Sequence, residues 1–168
     1  MTRPTTRRSV PYRRKRAGKT NYKKRLELLK SRQHRLVIRK TNKHVIMQIV
    51  DYHPDGDRVV ASVSSKRLGR MGWQHSMKNI PACYLTGLLL ARASKERDVE
   101  AAILDLGLQT PIKGSRLYAA LKGAIDGGLA VPTSEDVFPS AERITGAHLQ
   151  DKAVAEHFNK LKAQLTTE

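Results

Sequence analysis

Cysteine is nearly absent: Cys83 is the only one in 168 residues. No intramolecular disulfide can form, and no cysteine-based zinc site can close. Cys83 sits inside an apolar run, which suits a buried small hydrophobe better than a nucleophile. Also missing is any run of about 18 apolar residues able to span a bilayer, and no signal-peptide core follows the basic N-terminus. A soluble, cytoplasmic protein without a membrane partner is expected. The apolar fraction of 39% suffices for one modest core, with tails attached. No internal repeat is present.

Patterns for catalysis are equally scarce. Gly18-Lys19-Thr20 copies the tail of a phosphate-binding loop, but no glycine lies five residues before it and no strand precedes it. The six histidines (His34, His44, His53, His75, His148, His157) include no i, i+4 pair and no adjoining carboxylate cluster. Asp51, Asp55 and Asp57 resemble part of a calcium loop, yet Ser62 stands where its final glutamate belongs, so a turn is the better reading. Ser62, Ser64 and Ser65 have no assignable His-Asp partners. The chain is read as a non-enzyme with no metal, cofactor or small-molecule substrate.

What is abundant is positive charge, in one place. The formal net charge is +17. Residues 1–50 hold 17 lysines and arginines against one acid, Glu27. Solubility does not call for that concentration, and self-repulsion opposes compaction. A polyanionic partner, in practice nucleic acid, is what such a segment attracts.

Residues 1–21 have no apolar period, so they are expected to be disordered when free, forming a basic RNA-binding arm. Tyr22, Leu26 and Leu29 then mark a short amphipathic helix. Three strands follow: Leu36-Val37-Ile38, His44 to Asp51, and Arg58 to Ser64, the last alternating as Val59, Ala61 and Val63. Short connections favour an antiparallel meander. Residues 65–78 read as an irregular basic loop. Asn79 to about Asp98 reads as a helix capped by Asn79. Ala101 to Leu106 suits a strand buried on both faces, and Lys113 to Asp126 a helix ending at Gly127-Gly128. A last helix carries Val154, Phe158, Leu161 and Leu165. The order β-β-β-α-β-α predicts a mixed sheet with helices on its faces. The expected division is an arm at 1–21, a core domain at 22–128 and a C-terminal extension at 129–168.

Candidate RNA contacts follow from this distribution. In and beside the arm they are Arg7, Arg8, Tyr12, Arg13, Arg14, Lys15, Arg16, Lys19, Thr20, Tyr22, Lys23, Arg25 and Arg35. Arginine forks pair bidentately with phosphate, and interleaved tyrosines offer stacking surfaces, although Tyr22 fits a core role equally well. The turn Arg39-Lys40-Thr41-Asn42-Lys43-His44 presents donors for phosphate and 2′-OH groups, or else a charge-protected edge. In the basic loop, Lys66, Arg67, Arg70 and Trp73 are candidates, Trp73 being also a possible core cap.

These residues carry a resemblance. Tyr12-Arg-Arg-Lys-Arg-Ala-Gly-Lys-Thr-Asn-Tyr22 with Lys23-Lys-Arg-Leu-Glu-Leu-Leu29, Arg35 to Val50, Asn79 to Leu89, and Ala120 to Leu129 resemble the archaeal and eukaryotic type of large-subunit ribosomal protein eighteen. Pro132, Ser134-Glu135, Val137-Phe138-Pro139 and Glu142-Arg143-Ile144 are similar to its archaeal C-terminal extension. The likeness spans about residues 10–150. It implies a three-layer α/β/α core and binding to 5S ribosomal RNA. It also implies a place in the central protuberance, holding 5S RNA against the large ribosomal RNA beside the protein-five family. Cys83 and the loop Leu68–Lys78 depart from the family pattern.

Two other classes compete. A basic DNA-binding protein lacks helix-turn-helix and zinc-finger patterns, so it would bind non-specifically. An RNase-H-like nuclease needs several strand-end carboxylates around metal, and only Asp51 and Asp105 stand near strand ends.

Overall fold

The structure, a computed structural model, describes residues 10–167. Arg7 and Arg8 lie outside them. The first described element is a single helical turn, α1 (Arg13–Arg16), where a fully unordered arm was expected. It is held locally: Arg14 Nε donates to Thr20 Oγ1 at 2.8 Å, and the Tyr12 and Tyr22 ring centroids stand 5.1 Å apart. Helix α2 (Tyr22–Lys30) starts at Asn21, whose side chain accepts from Lys24 N–H and caps it.

Strands β1 (Arg35–Lys40), β2 (Val45–Asp51), β3 (Arg58–Ser64) and β4 (Ile103–Asp105) form one sheet in the order β3-β2-β1-β4. The meander β1-β2-β3 is antiparallel and β4 joins β1 in parallel. Alternation sends Leu36, Ile38, Val45, Met47 and Ile49 into the core. The register of β3 shifts opposite Ile49/Val50, where Ile49 pairs with Ala61 but Val50 with Val59. That bulge reverses the parity of the strand. Ala61 and Val63 therefore point inward while Val59 is 52% exposed on the other face, contrary to the uniform alternation expected.

Ala101–Leu106 is not a central strand. Only Ile103–Asp105 join the sheet, at its edge, and each of the three is half-buried, while Ala101 makes a separate bridge to Ala130. Past the end of β4, Gln109 takes over: its amide donates to Ile38 O at 2.8 Å and its oxygen accepts from Lys40 N–H at 3.2 Å.

The core lies between the sheet and helix α4 (Ile80–Lys95). Every residue of α4 from Ile80 to Ala91 is buried, as in a helix surrounded on all sides. One of its opening N–H groups is capped by Asn79, which accepts from Ala82 N–H at 2.9 Å. Helix α5 (Arg116–Asp126) crosses α4 with backbones almost touching. A Cβ on Gly87 would overlap the Ala120 carbonyl oxygen, and one on Gly123 that of Tyr84. Residues 66–70 of the expected loop form a short helix, α3 (Lys66–Arg70), because Leu68 and Trp73 are drawn into the core. Short helix α6 (Ala141–Thr145) and helix α7 (Ala153–Thr167) pack on α4, with Val154, Phe158, Leu161 and Leu165 turned inward. The layers are unequal: a thick helical layer on one sheet face, and only the thin α1–α2 segment across the other.

Candidate nucleic-acid interface

The sheet face opposite α4 is where the basic segments gather. Val37 and Arg39 from β1, Gln48 and Val50 from β2, and the bulge-turned Val59 form a floor. Arg14, Lys19, Thr20 and Lys24 form the opposing wall, enclosing an open groove of about 650 Å³. Helix α2 barely closes it. None of its residues is buried, and Leu26 is 56% exposed. On the amphipathic face read from Tyr22, Leu26 and Leu29, Tyr22 and Leu29 are half-buried and Leu26 is left open.

Two of the candidate cations are committed to acids. Arg35 is 3% exposed and donates to Asp57 at 2.6 Å and Asp105 at 2.9 Å. Arg25 makes a bidentate pair with the same Asp57, at 2.7 and 2.9 Å. Burial pushes the Asp57 carboxyl up, but hydrogen bonds from Arg25 and Arg35 and their charges bring it below the ordinary carboxylate range. The Arg25 guanidinium is raised in turn, first by its bond to Asp57. This triad anchors α2 and the β2–β3 turn to the sheet edge. The expectation of an RNA contact at Arg35 does not fit a side chain so enclosed. Replacing Arg35 with Met is expected to cost about 2 to 3 kcal/mol in urea unfolding, by leaving Asp105 without its cation and Asp57 with Arg25 alone, and to leave the salt dependence of RNA binding unaltered. A folded-state stability equal to wild type would show the triad to be ornamental.

At the far end of the sheet the turn and α3 meet. Ser65 N–H donates to Val45 O at 2.9 Å and Val45 N–H donates to Ser65 Oγ at 3.0 Å, which sets α3 beside the turn that precedes β2. Arg39, Lys40, Asn42 and Lys43 are exposed there, next to exposed Lys66, Arg67 and Arg70. Thr41 is different. Its hydroxyl donates to His44 O at 2.8 Å and accepts from His44 N–H at 2.9 Å, so it builds the turn. His44 is half-buried. Trp73 is 2% exposed and its indole donates to Ser76 O at 3.2 Å. It caps the core, leaving no ring face for a base.

The arm stays open to solvent. Tyr12 is 72% exposed, and Arg13, Arg14, Lys15, Arg16, Lys19 and Lys23 are exposed with it. Four consecutive cations in α1 with no acid in its first turn repel one another until an anion is supplied.

Sequence reasoning missed contacts between residues far apart in the chain. His75 Nε2 and His157 Nδ1 lie 3.0 Å apart and His75 Nδ1 is 3.5 Å from Asp151, joining the 71–79 segment to α7. Asp105, weighed as a metal ligand, holds Arg35, and Asp51 lies 3.9 Å from His34. Among the described residues no cluster of three or more metal-ligating side chains occurs, and no helix is long and apolar enough to cross a membrane. Cys83 is fully enclosed, and burial pushes its thiol up to about 12.

Comparison with known proteins agrees with this distribution of charge. Residues 6–99 and 93–134 match the family described as ribosomal large subunit proteins 60S L5 and 50S L18. The large ribosomal subunit protein uL18 of Korarchaeum cryptofilum (strain OPF8) is 50% identical over 140 residues, 83% of this chain and 72% of that protein. With the match running through the arm, the sheet and the α4–α5 pair, the chain belongs to the uL18 family of ribosomal proteins and is a structural, RNA-binding constituent of the large ribosomal subunit.

Proposed function

We propose that this protein binds 5S ribosomal RNA and helps attach it to the large ribosomal RNA in the central protuberance, beside a protein of the protein-five family. The observation that carries the reading is the open sheet face walled by the basic arm. On that face Val37 and Val50 are buried, while Val59 is left 52% exposed. That face also carries an open groove walled by cations of the arm and α2. Arginine forks and lysines engage phosphates, Tyr12 offers a stacking surface, and Asn42 reaches 2′-OH groups. Recognition of this kind follows RNA shape more than sequence. The arm orders fully on RNA, its entropy cost offset by counterion release and charge-assisted hydrogen bonds. The reading assigns no bond-making chemistry, and the work is done on the ribosome in the cytoplasm.

Crosslinking within purified large subunits, followed by mapping of the attached RNA, tests this reading. Adducts from the arm and the 39–44 turn are expected on 5S RNA. Adducts confined to other RNA would sink the 5S assignment. Excess duplex DNA is expected to compete poorly, which separates the reading from non-specific DNA binding. Replacing Arg39 and Lys43 with Ala is expected to weaken 5S binding with stability changes within about 0.5 kcal/mol each, as for exposed sites away from caps. Wild-type affinity in that variant would reduce the turn to a charged sheet edge.

A further inference from the structure

A second groove, of about 490 Å³, opens at the end of the core where α4 and α5 begin. Its walls bring together Lys40 from β1, Lys78, Arg116, Arg143 and His148, residues spread over more than half the chain. Among the described residues no aspartate or glutamate lines it, although acids outnumber lysines and arginines over residues 101–168. The groove over the open sheet face, by contrast, contains Asp57 and Asp105. Among the described residues none of Lys40, Lys78, Arg116 and Arg143 enters an ion pair.

The helix ends sharpen the contrast. The starts of both α4 and α5 line the groove, and neither has an acid in its first turn. Helix starts ordinarily attract acidic side chains, and cations there are unfavourable. Lys78 precedes the α4 cap, and Arg116 is the first residue of α5. At the α5 start the Ser115 hydroxyl makes no capping bond, and its oxygen is buried without a partner among the described residues. Four cations and the starts of two helices, one of them without a side-chain capping bond, therefore border one space. That arrangement costs stability in the free chain and is relieved by an anion.

We propose that this groove binds a phosphate of an RNA backbone strand, as a second RNA contact distinct from the arm. The proposal rests on the reading of the chain as an RNA-binding constituent. RNA is favoured over an acidic peptide because Lys40 belongs both to this groove and to the exposed turn at 39–44. A strand lying on the turn runs directly into the groove. The strand comes either from 5S RNA or from large-subunit RNA, whose phosphates are alike.

The test uses the full chain and R116Q/R143Q, with K152Q/K160Q, exposed residues just before and on α7, as a charge-matched control. In 15N-labelled wild type, inorganic phosphate is expected to shift the amides of Ser115, Arg116 and Leu117, and R116Q/R143Q is expected to abolish the shift. Its melting temperature stays equal or rises, because cations have left a crowded site. R116Q/R143Q is then expected to bind a 5S transcript or a large-subunit RNA transcript about tenfold more weakly, with a salt slope shallower by about one to two units. The control changes little. The transcript that loses affinity identifies the source of the strand. Absence of the phosphate shift overturns the proposal outright. A phosphate shift with both RNA affinities equal to the control also overturns it, and capture of polyglutamate in that case reassigns the groove to a protein partner. Residues 1–20 supply the separate check: an arm deletion that leaves 5S affinity intact defeats the arm reading while the groove stands on its own data.

Discussion

Removing residues 1–20 is expected to weaken 5S RNA binding about a hundredfold or more near physiological salt, and to leave cooperative unfolding intact. Eight basic residues leave with that segment, and each lost phosphate contact flattens the plot of log K against log salt by about 0.7 to 0.9. A slope shallower by several units is therefore the main observable. The fold permits the cut, since no residue of α1 or α2 is buried and the arm's ordered contacts are local. The cut must spare Asn21. Its side chain caps α2, and losing it would add about 1 kcal/mol of helix destabilisation unrelated to RNA. Tyr12→Leu in the intact chain is expected to cost about 1 kcal/mol of binding with no change in slope, because stacking releases no counterions. Titrations at four or five potassium concentrations decide the matter. A truncated protein with the full-length slope would make the arm a bystander.

The largest effect on the fold itself is expected at Gly123. Gly123→Ala should cost at least about 3 kcal/mol or prevent folding, because the added methyl meets backbone. Its Cβ would overlap the Tyr84 carbonyl oxygen, and the matching position, Gly87, faces Ala120 O and Ala124 N. Neither partner is a side-chain tip that swings aside. Relief requires α4 and α5 to separate, which opens the core they share with the sheet. Typical domains hold only about 5 to 15 kcal/mol in reserve, so the variant is expected to show a much lower urea midpoint. Gly69→Ala is the contrast. There the new methyl meets only the flexible end of Met77, and a small change is expected. Equal midpoints for the two variants would mean that α4 and α5 do not cross as closely as described.

The sheet was legible because its information is local. Val and Ile at alternating positions between polar turns specify strands wherever they pair, and Val154, Phe158, Leu161 and Leu165 likewise announce a helix face. What alternation could not reveal was the bulge that turns Val59 outward, since the extra residue is defined only against β2. Arg35 misled for a related reason. An arginine among arginines looks like a phosphate ligand until Asp57 and Asp105 converge on it from 22 and 70 residues away. Trp73 and α3 were hidden by composition, because a polar, glycine-bearing stretch still folds around two buried anchors. The acid-free groove was beyond reach: Lys40, Lys78, Arg116 and Arg143 share no motif and meet only through the starts of two helices. The arm, by contrast, needed no tertiary partner to be recognised, since charge density is visible without a fold.

Cys83 gives this core a reporter. Its sulfur lies inside α4, wholly enclosed, with ionisation suppressed by burial, so alkylating reagents reach a reactive thiolate only after that helix leaves its neighbours. Since no other cysteine exists in the chain, the labelling rate of the unmodified protein times the opening of its central helix, one molecule and one event at a time. Comparing that rate before and after incorporation into ribosomal particles would show how far assembly locks this domain.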